Sequence, residues 1–195
     1  MQGVRIVELG LWVFLVVAFG ACAESDSGSV EQEPTVPQPD PTQEATPSFL
    51  YTDGSKLVND RGEEVRLTGI NWFGFETSVM LPHGLWQRNH DEMLGQVVEL
   101  GFNSLRIPFS NDMVRSERIV DTVDPTLEGL TPMEAMDVII ETAGDLGLKV
   151  VLDNHSRAAD GHLNESLWYT DDVSEDTWIA DWVMLAERYR DNDTV

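Results

Sequence analysis

The chain has 195 residues, 42% of them hydrophobic, and 12 lysines and arginines stand against 35 aspartates and glutamates for a formal charge of −23. A polyanion of this kind repels phosphate backbones and anionic headgroups, which argues against nucleic-acid binding and electrostatic docking on membranes. The first 48 residues hold seven of the acids and one base, so net −17 falls on the remaining 147 and the acidity belongs to the folded part.

Residues 9–21 (LGLWVFLVVAFGA) form an apolar run too short to span a bilayer but suited to a signal-peptide core, with Arg5 at its positive end. The run closes on Gly20 and Ala21 directly before Cys22, the lone cysteine. This resembles a bacterial lipoprotein processing site, so residues 1–21 are expected to be a signal peptide and Cys22 a lipidation site, with plain secretion as the alternative. A single cysteine also excludes an intramolecular disulfide and a disulfide-stapled mini-domain. Residues 22–48 carry five prolines among Ser, Thr, Glu and Gln and almost nothing apolar. Such a segment buries too little surface to offset its ordering entropy and reads as a disordered tether. The expected address is therefore outside the cell, lipid-anchored at the surface or outer membrane.

The folded region is expected over 49–195. Residues 56–67 (KLVNDRGEEVRL) place two apolar stretches around Asn59–Gly62, a hairpin signature. Three strand–helix units follow. The strand TGIN at 68–71 leads to a helix with Asn89 as cap, Glu92 three residues on, and Gly101 at its end. The strand SLRIP at 104–108 leads to a helix opened by Thr131, Pro132 and Glu134 and stopped at Gly147. The strand KVVLD at 149–153 leads to a helix started by Ser174 with Glu175 and Asp176 in its first turn, where the helix dipole favours anions. Alternating hydrophobic strands and helices predict parallel βαβ units.

No strand is followed by the Gly-rich turn of a dinucleotide fold. Asn71 and Trp72, Arg106, and Asp153 with Asn154 and His155 cluster instead at C-terminal strand ends, which suits the active face of a (β/α)8 barrel. No Gly-x-Ser-x-Gly elbow occurs. His83 and His90 lie seven apart, and Asp160 with His162 makes no convincing ligand set, so neither metal nor cofactor is expected.

NWFGFET at 71–77, HGLW at 83–86, LGFNSLRIPFS at 100–110, LDNH at 152–155 and the LWYT…VSEDTW stretch at 167–178 together resemble the bacterial endoglucanases of glycoside hydrolase family 5. The likeness runs in order from about Tyr51 to Val195. It implies a (β/α)8 TIM barrel, here reaching about three units after an N-terminal hairpin, and hydrolysis of β-1,4-glucan with retention. In that family the acid/base glutamate follows an asparagine at the end of the fourth strand and the nucleophile glutamate ends the seventh. Both positions are expected beyond Val195, so this chain alone should be inactive.

Arg106 sits in an apolar strand, where a guanidinium needs a carboxylate or substrate partner. Its alternatives are a structural bridge to Asp153 or Glu76, or, as the resemblance implies, the family arginine that keeps the nucleophile ionised. His155 matches the family histidine lining the cleft. Trp86 matches an aromatic that stacks on a glucosyl ring, with core packing as the alternative; Trp72 and Trp168 are further substrate-binding candidates. Trp178 and Trp182, at helical spacing, are expected in the core, and Glu76, Asp112 and Glu165 as solvated loop acids. Some relatives carry a cysteine pair between the first and third loops, where Ser78 and the SRAADG stretch stand here. The expected function is endo-β-1,4-glucanase; the alternatives are another β-glycanase of the same barrel such as a mannanase, or a noncatalytic carbohydrate-binding surface protein.

Overall fold

The structure, a computed structural model, describes residues 48–161 and 164–195. The signal peptide, Cys22 and nearly all of the tether lie outside the described residues, as does His162. Among the described residues no helix is long and apolar enough to cross a membrane.

Two short strands open the fold, β1 (Tyr51–Asp53) and β2 (Lys56–Val58), paired antiparallel with Tyr51 opposite Val58. The expected turn at Asn59–Gly62 is present: the Asn59 side-chain oxygen accepts from the backbone of Arg61 and Glu63, and Gly62 has φ of 75°. Its arms, however, meet only in a single bridge, Val58 to Glu64. The regular ladder forms one turn earlier, around the two-residue turn Gly54-Ser55, where Gly54 takes a positive φ of 59°.

The main sheet has the order β3 (Gly69–Asn71), β4 (Ser104–Ser110), β5 (Lys149–Ser156), all parallel. Helix α1 (His90–Glu99) connects β3 to β4. The short α2 (Asn111–Val114) and the longer α3 (Pro132–Asp145) lie between β4 and β5, and α4 (Glu175–Tyr189) follows β5. The three expected strand–helix units are therefore present. Two strands run further than predicted, and α2 is an addition, capped by the Ser110 hydroxyl, which accepts from the Met113 amide.

The core lies between one face of the sheet and the helices. Leu105, Ile107, Phe109 and Val150 cluster there with Met136, Ile139 and Ile140 of α3 and Leu94 of α1. Each such side chain contributes about 1.5–3 kcal/mol on burial. Thr131 starts α3 with a complete capping box shared with Glu134. Asn89 departs from expectation, since its side chain makes no cap bond. The free amide of His90 instead donates to the Asp124 carboxylate at 2.7 Å, and the His90 ring lies 2.6 Å from the same oxygen. Burial alone would raise the Asp124 pKa, but these donors and the Thr126 amide bring it below the usual range.

The apolar stripe of α4 is only half covered. Leu185 and Tyr189 are buried and Trp182 packs partly against the core, while Trp178 is half-buried, so neither tryptophan is the fully buried residue its spacing suggested. At the end of the chain the Thr194 carbonyl accepts from the Val150 amide at 2.6 Å, along the edge of β5.

Candidate active site

The parallel pairing sets Asn71 beside Arg106, Arg106 beside Val151, and Pro108 beside Asp153. Side chains alternate along a strand, so Asn71, Arg106 and Asp153 share the sheet face turned away from the helices. There the Arg106 guanidinium donates to Asp153 Oδ2 at 2.5 Å, and Asn71 Oδ1 is a longer contact at 3.5 Å. His155 Nδ1 lies 2.9 Å from the same Asp153 oxygen and 3.2 Å from Arg106 Nη2. A guanidinium nitrogen only donates and a carboxylate only accepts. One Nδ1 cannot donate to Asp153 and accept from Arg106 together, and the shorter contact to a full negative charge decides for Nδ1–H donating to Asp153. Asp153 thus gathers the cation and the imidazole at the strand ends. Of the partners foreseen for Arg106, the structure selects Asp153 over Glu76. All three side chains are about one-third exposed, so solvent screens the pair and its value lies in orientation more than in stability.

The loop after β3 holds the aromatic candidates. Trp72 is a correction: at 8% exposure it belongs to the core, and its indole N–H is taken by the His83 carbonyl at 2.9 Å, so it offers no open platform. Trp86 is 44% exposed, as stacking requires. It meets His83 edge-on with ring centroids 4.9 Å apart, and Phe73, also exposed, packs tilted against the same imidazole with centroids 4.0 Å apart. The sequence did not single out Phe73 and His83 as a support for Trp86; their placement follows from a loop closure that depends on Gly74. With φ of 141°, a Cβ there would lie 2.2 Å from the Leu81 carbonyl. Trp168, 47% exposed, stands in the loop after β5 with its edge against Tyr169 and its N–H toward Glu175.

Of the loop acids expected in solvent, Glu76 is buried and Glu165 is half-buried. Glu76 is 5% exposed and accepts from the Gly74 amide. Glu165 accepts from the Arg157 guanidinium and from the amides of Arg157 and Ala158 at 2.6–2.8 Å. Burial pushes its pKa up, but those donors together hold it below the usual glutamate value. Asp112 accepts from the Ala159 amide. Where some relatives carry a cysteine pair, the Ser78 amide donates to Asp160 at 3.0 Å and the Asp160 amide to the Glu76 carbonyl at 2.9 Å, so hydrogen bonds join the first and third loops. Among the described residues no cluster of three His, Cys, Asp or Glu is placed to hold a metal.

The chain is similar to known proteins. A family model described as cellulase (glycosyl hydrolase family 5) matches residues 58–195. The chain is 43% identical over 151 residues to an endoglucanase of Paenibacillus polymyxa, covering 75% of this chain and 38% of that protein. It is 38% identical over 152 residues to the major extracellular endoglucanase of Xanthomonas campestris pv. campestris, covering 75% and 31%. An endocellulase from Pyrococcus horikoshii, solved with cellotetraose, superposes with a TM-score of 0.69 at 40% identity over 78% of this chain and 42% of that one. The chain thus spans about a third of the length of the curated relatives it matches.

Proposed function

The chain belongs to glycosyl hydrolase family 5, and from that premise we propose that it supplies the first three units of a (β/α)8 barrel that hydrolyses β-1,4-glucan internally with retention. The observation that carries the reading is the Arg106–Asp153–His155 group at the strand ends, one-third exposed and flanked by loops that present Trp86 and Trp168. Retaining hydrolysis needs one carboxylic acid to protonate the leaving oxygen and a carboxylate about 5–5.5 Å away to attack the anomeric carbon. We assign both to glutamates following Val195 in the complete enzyme. Arg106, oriented by Asp153, keeps the nucleophile ionised through the field of its guanidinium. His155, its Nδ1–H held by Asp153, lines the cleft beside the sugar. Trp86 offers a flat apolar surface to the C–H face of a glucosyl ring. The same reading puts the enzyme outside the cell, lipid-anchored through Cys22.

The test starts with the coding sequence after Val195, read for a fourth strand ending in Asn-Glu-Pro. The longer product is then assayed on carboxymethylcellulose and on mannan. Faster hydrolysis of mannan overturns the glucanase assignment, and no hydrolysis of either by a folded product with both glutamates overturns the enzyme assignment. The 195-residue chain alone is expected to give no turnover above a buffer blank. Palmitate labelling that survives Cys22→Ala would remove the anchor.

A further inference from the structure

We propose that Asn154 is a positioning residue for this catalytic face, held from behind the sheet by a one-way chain of hydrogen bonds that runs from Trp178 through Asn154 and Asn111 to Asp181. The proposal rests on the glycosidase reading of the face. Asn154 lies between Asp153 and His155 in β5, and alternation turns its side chain to the opposite side of the sheet, toward α4. The backbone ladder is weakest at this point. Phe109 pairs with Asn154 but Ser110 pairs with Ser156, so the register shifts here and His155 is the extra residue of a bulge. Across this irregularity the side chain of Asn154 ties the strand end to the elements behind the sheet.

The polarity of the chain follows from its two ends. The Trp178 indole N–H can only donate, and it donates to Asn154 Oδ1 at 2.8 Å; Arg157 Nη1, also only a donor, approaches the same oxygen at 3.4 Å. Asn154 Nδ2 then donates to Asn111 Oδ1 at 3.0 Å, and Asn111 Nδ2 to Asp181 Oδ2 at 2.5 Å. Asp181 can only accept, and Arg115 also donates to it through Nε and Nη2. Turning either amide over would set donor against donor at one end or acceptor against acceptor at the other, so both asparagines have one orientation. Asn111 is 1% and Asp181 9% exposed. In such low-dielectric surroundings a satisfied network is rigid, and an unmatched one is costly. The chain ties α4, the start of α2 and the end of β5 to one another, and none of its members faces Arg106. Its effect on the reaction is therefore through the placement of Asp153 and His155.

The experiment uses the complete enzyme, with rates expressed per folded molecule by near-ultraviolet circular dichroism. Asn154→Ala should lower kcat about tenfold or more, the scale on which loss of an outer supporting partner acts, while KM changes little. Asn154→Asp keeps the shape but sets a carboxylate oxygen against Asn111 Oδ1 and should act in the same direction. Adding Asp181→Asn moves the negative charge along the chain instead of adding one. Asn111 can then turn over, donate to position 154 and accept from the new amide at 181, while the half-exposed Arg115 takes water. This double variant should recover most of the lost kcat. The imidazole 15N shifts of His155 give a readout that needs no turnover, and they should move in Asn154→Ala. A kcat within about twofold of wild type in that variant, unmoved His155 shifts, or a double variant no better than Asn154→Asp would each overturn the proposal. A wild-type enzyme without glucanase activity would instead overturn the function assigned above, and the His155 shifts would still test the positioning.

Discussion

On the helix side of the sheet Leu105, Ile107, Phe109 and Val150 are at most 4% exposed, in one cluster with α3; on the other side Val151 is 50% exposed and Arg106, Asp153 and His155 are each about one-third exposed at the side chain. The same strands alternate between these environments residue by residue. The helix side supplies folding free energy through dry apolar packing. The open side leaves charged and polar groups where a substrate can reach them, and gains little stability from them because water screens their contacts. Substitutions on the two sides should therefore separate cleanly into losses of rate and losses of stability.

The largest effect is expected on the open side. In the complete enzyme Arg106→Ala should lower kcat by about 10²–10³-fold, the range for losing a preorganised electrostatic group, with KM and Tm little changed. Steady-state kinetics on a soluble glucan alongside a thermal melt checks this, and a large fall in Tm with an unchanged kcat would reverse the roles of the two faces. Ile139→Ala, in the middle of the helix side and fully buried, should do the opposite. It should cost about 2–5 kcal/mol in denaturant unfolding and leave kcat per folded molecule nearly intact.

Between the faces lies the rim of loops, and Glu165 tests it. Its pKa is lowered below the ordinary glutamate value of 4.5 by the Arg157 and Ala158 donors against the effect of burial. A carboxyl with a depressed folded pKa contributes stability that is present above its unfolded pKa and is lost as the pH falls through the folded one. Glu165→Gln should therefore cost on the order of 2 kcal/mol at neutral pH, with the gap to wild type closing below about pH 4. A pH series of denaturant midpoints decides it; a gap that widens in acid would contradict the assignment. Trp86→Ala comes next, with KM raised about tenfold and a smaller change in kcat, because stacking binds ground state and transition state nearly alike.

The order of strands and helices was legible because the apolar periodicity and the stops at Gly101 and Gly147 are local signals, and both glycines take positive φ as C′ residues do. Arg106 and His155 were legible because a charge at a strand end and a recognisable string mark them. What could not be read depends on contacts between distant parts of the chain. Glu76 and Glu165 look like any loop acid until the fold brings backbone amides onto them. Trp72 and Trp86 are both tryptophans in one loop, and only the closure over Gly74 buries the first and leaves the second open. Asn154 and Asn111 are 43 positions apart, and no spacing rule joins them.

The smallest effect concerns two helix starts on the buried side, where sequence made the same forecast and the structure divides them. Thr131 accepts from the Glu134 amide and Glu134 returns the bond to the Thr131 backbone, so Thr131→Ala should lower stability by about 1 kcal/mol. Asn89 makes no such bond: the Glu92 amide that it would have capped donates to the Asp91 side chain, and Asp124, from a loop 34 residues away, takes the first helical amide, that of His90. Asn89→Ala should stay within about 0.5 kcal/mol of wild type. Both variants should keep their kcat per folded molecule, since neither helix start touches the open face. Urea midpoints with an unchanged m-value measure the difference. Equal losses at the two positions would mean that Asn89 caps α1 in solution, and that the start of this helix is set by its own sequence and not by the loop that carries Asp124.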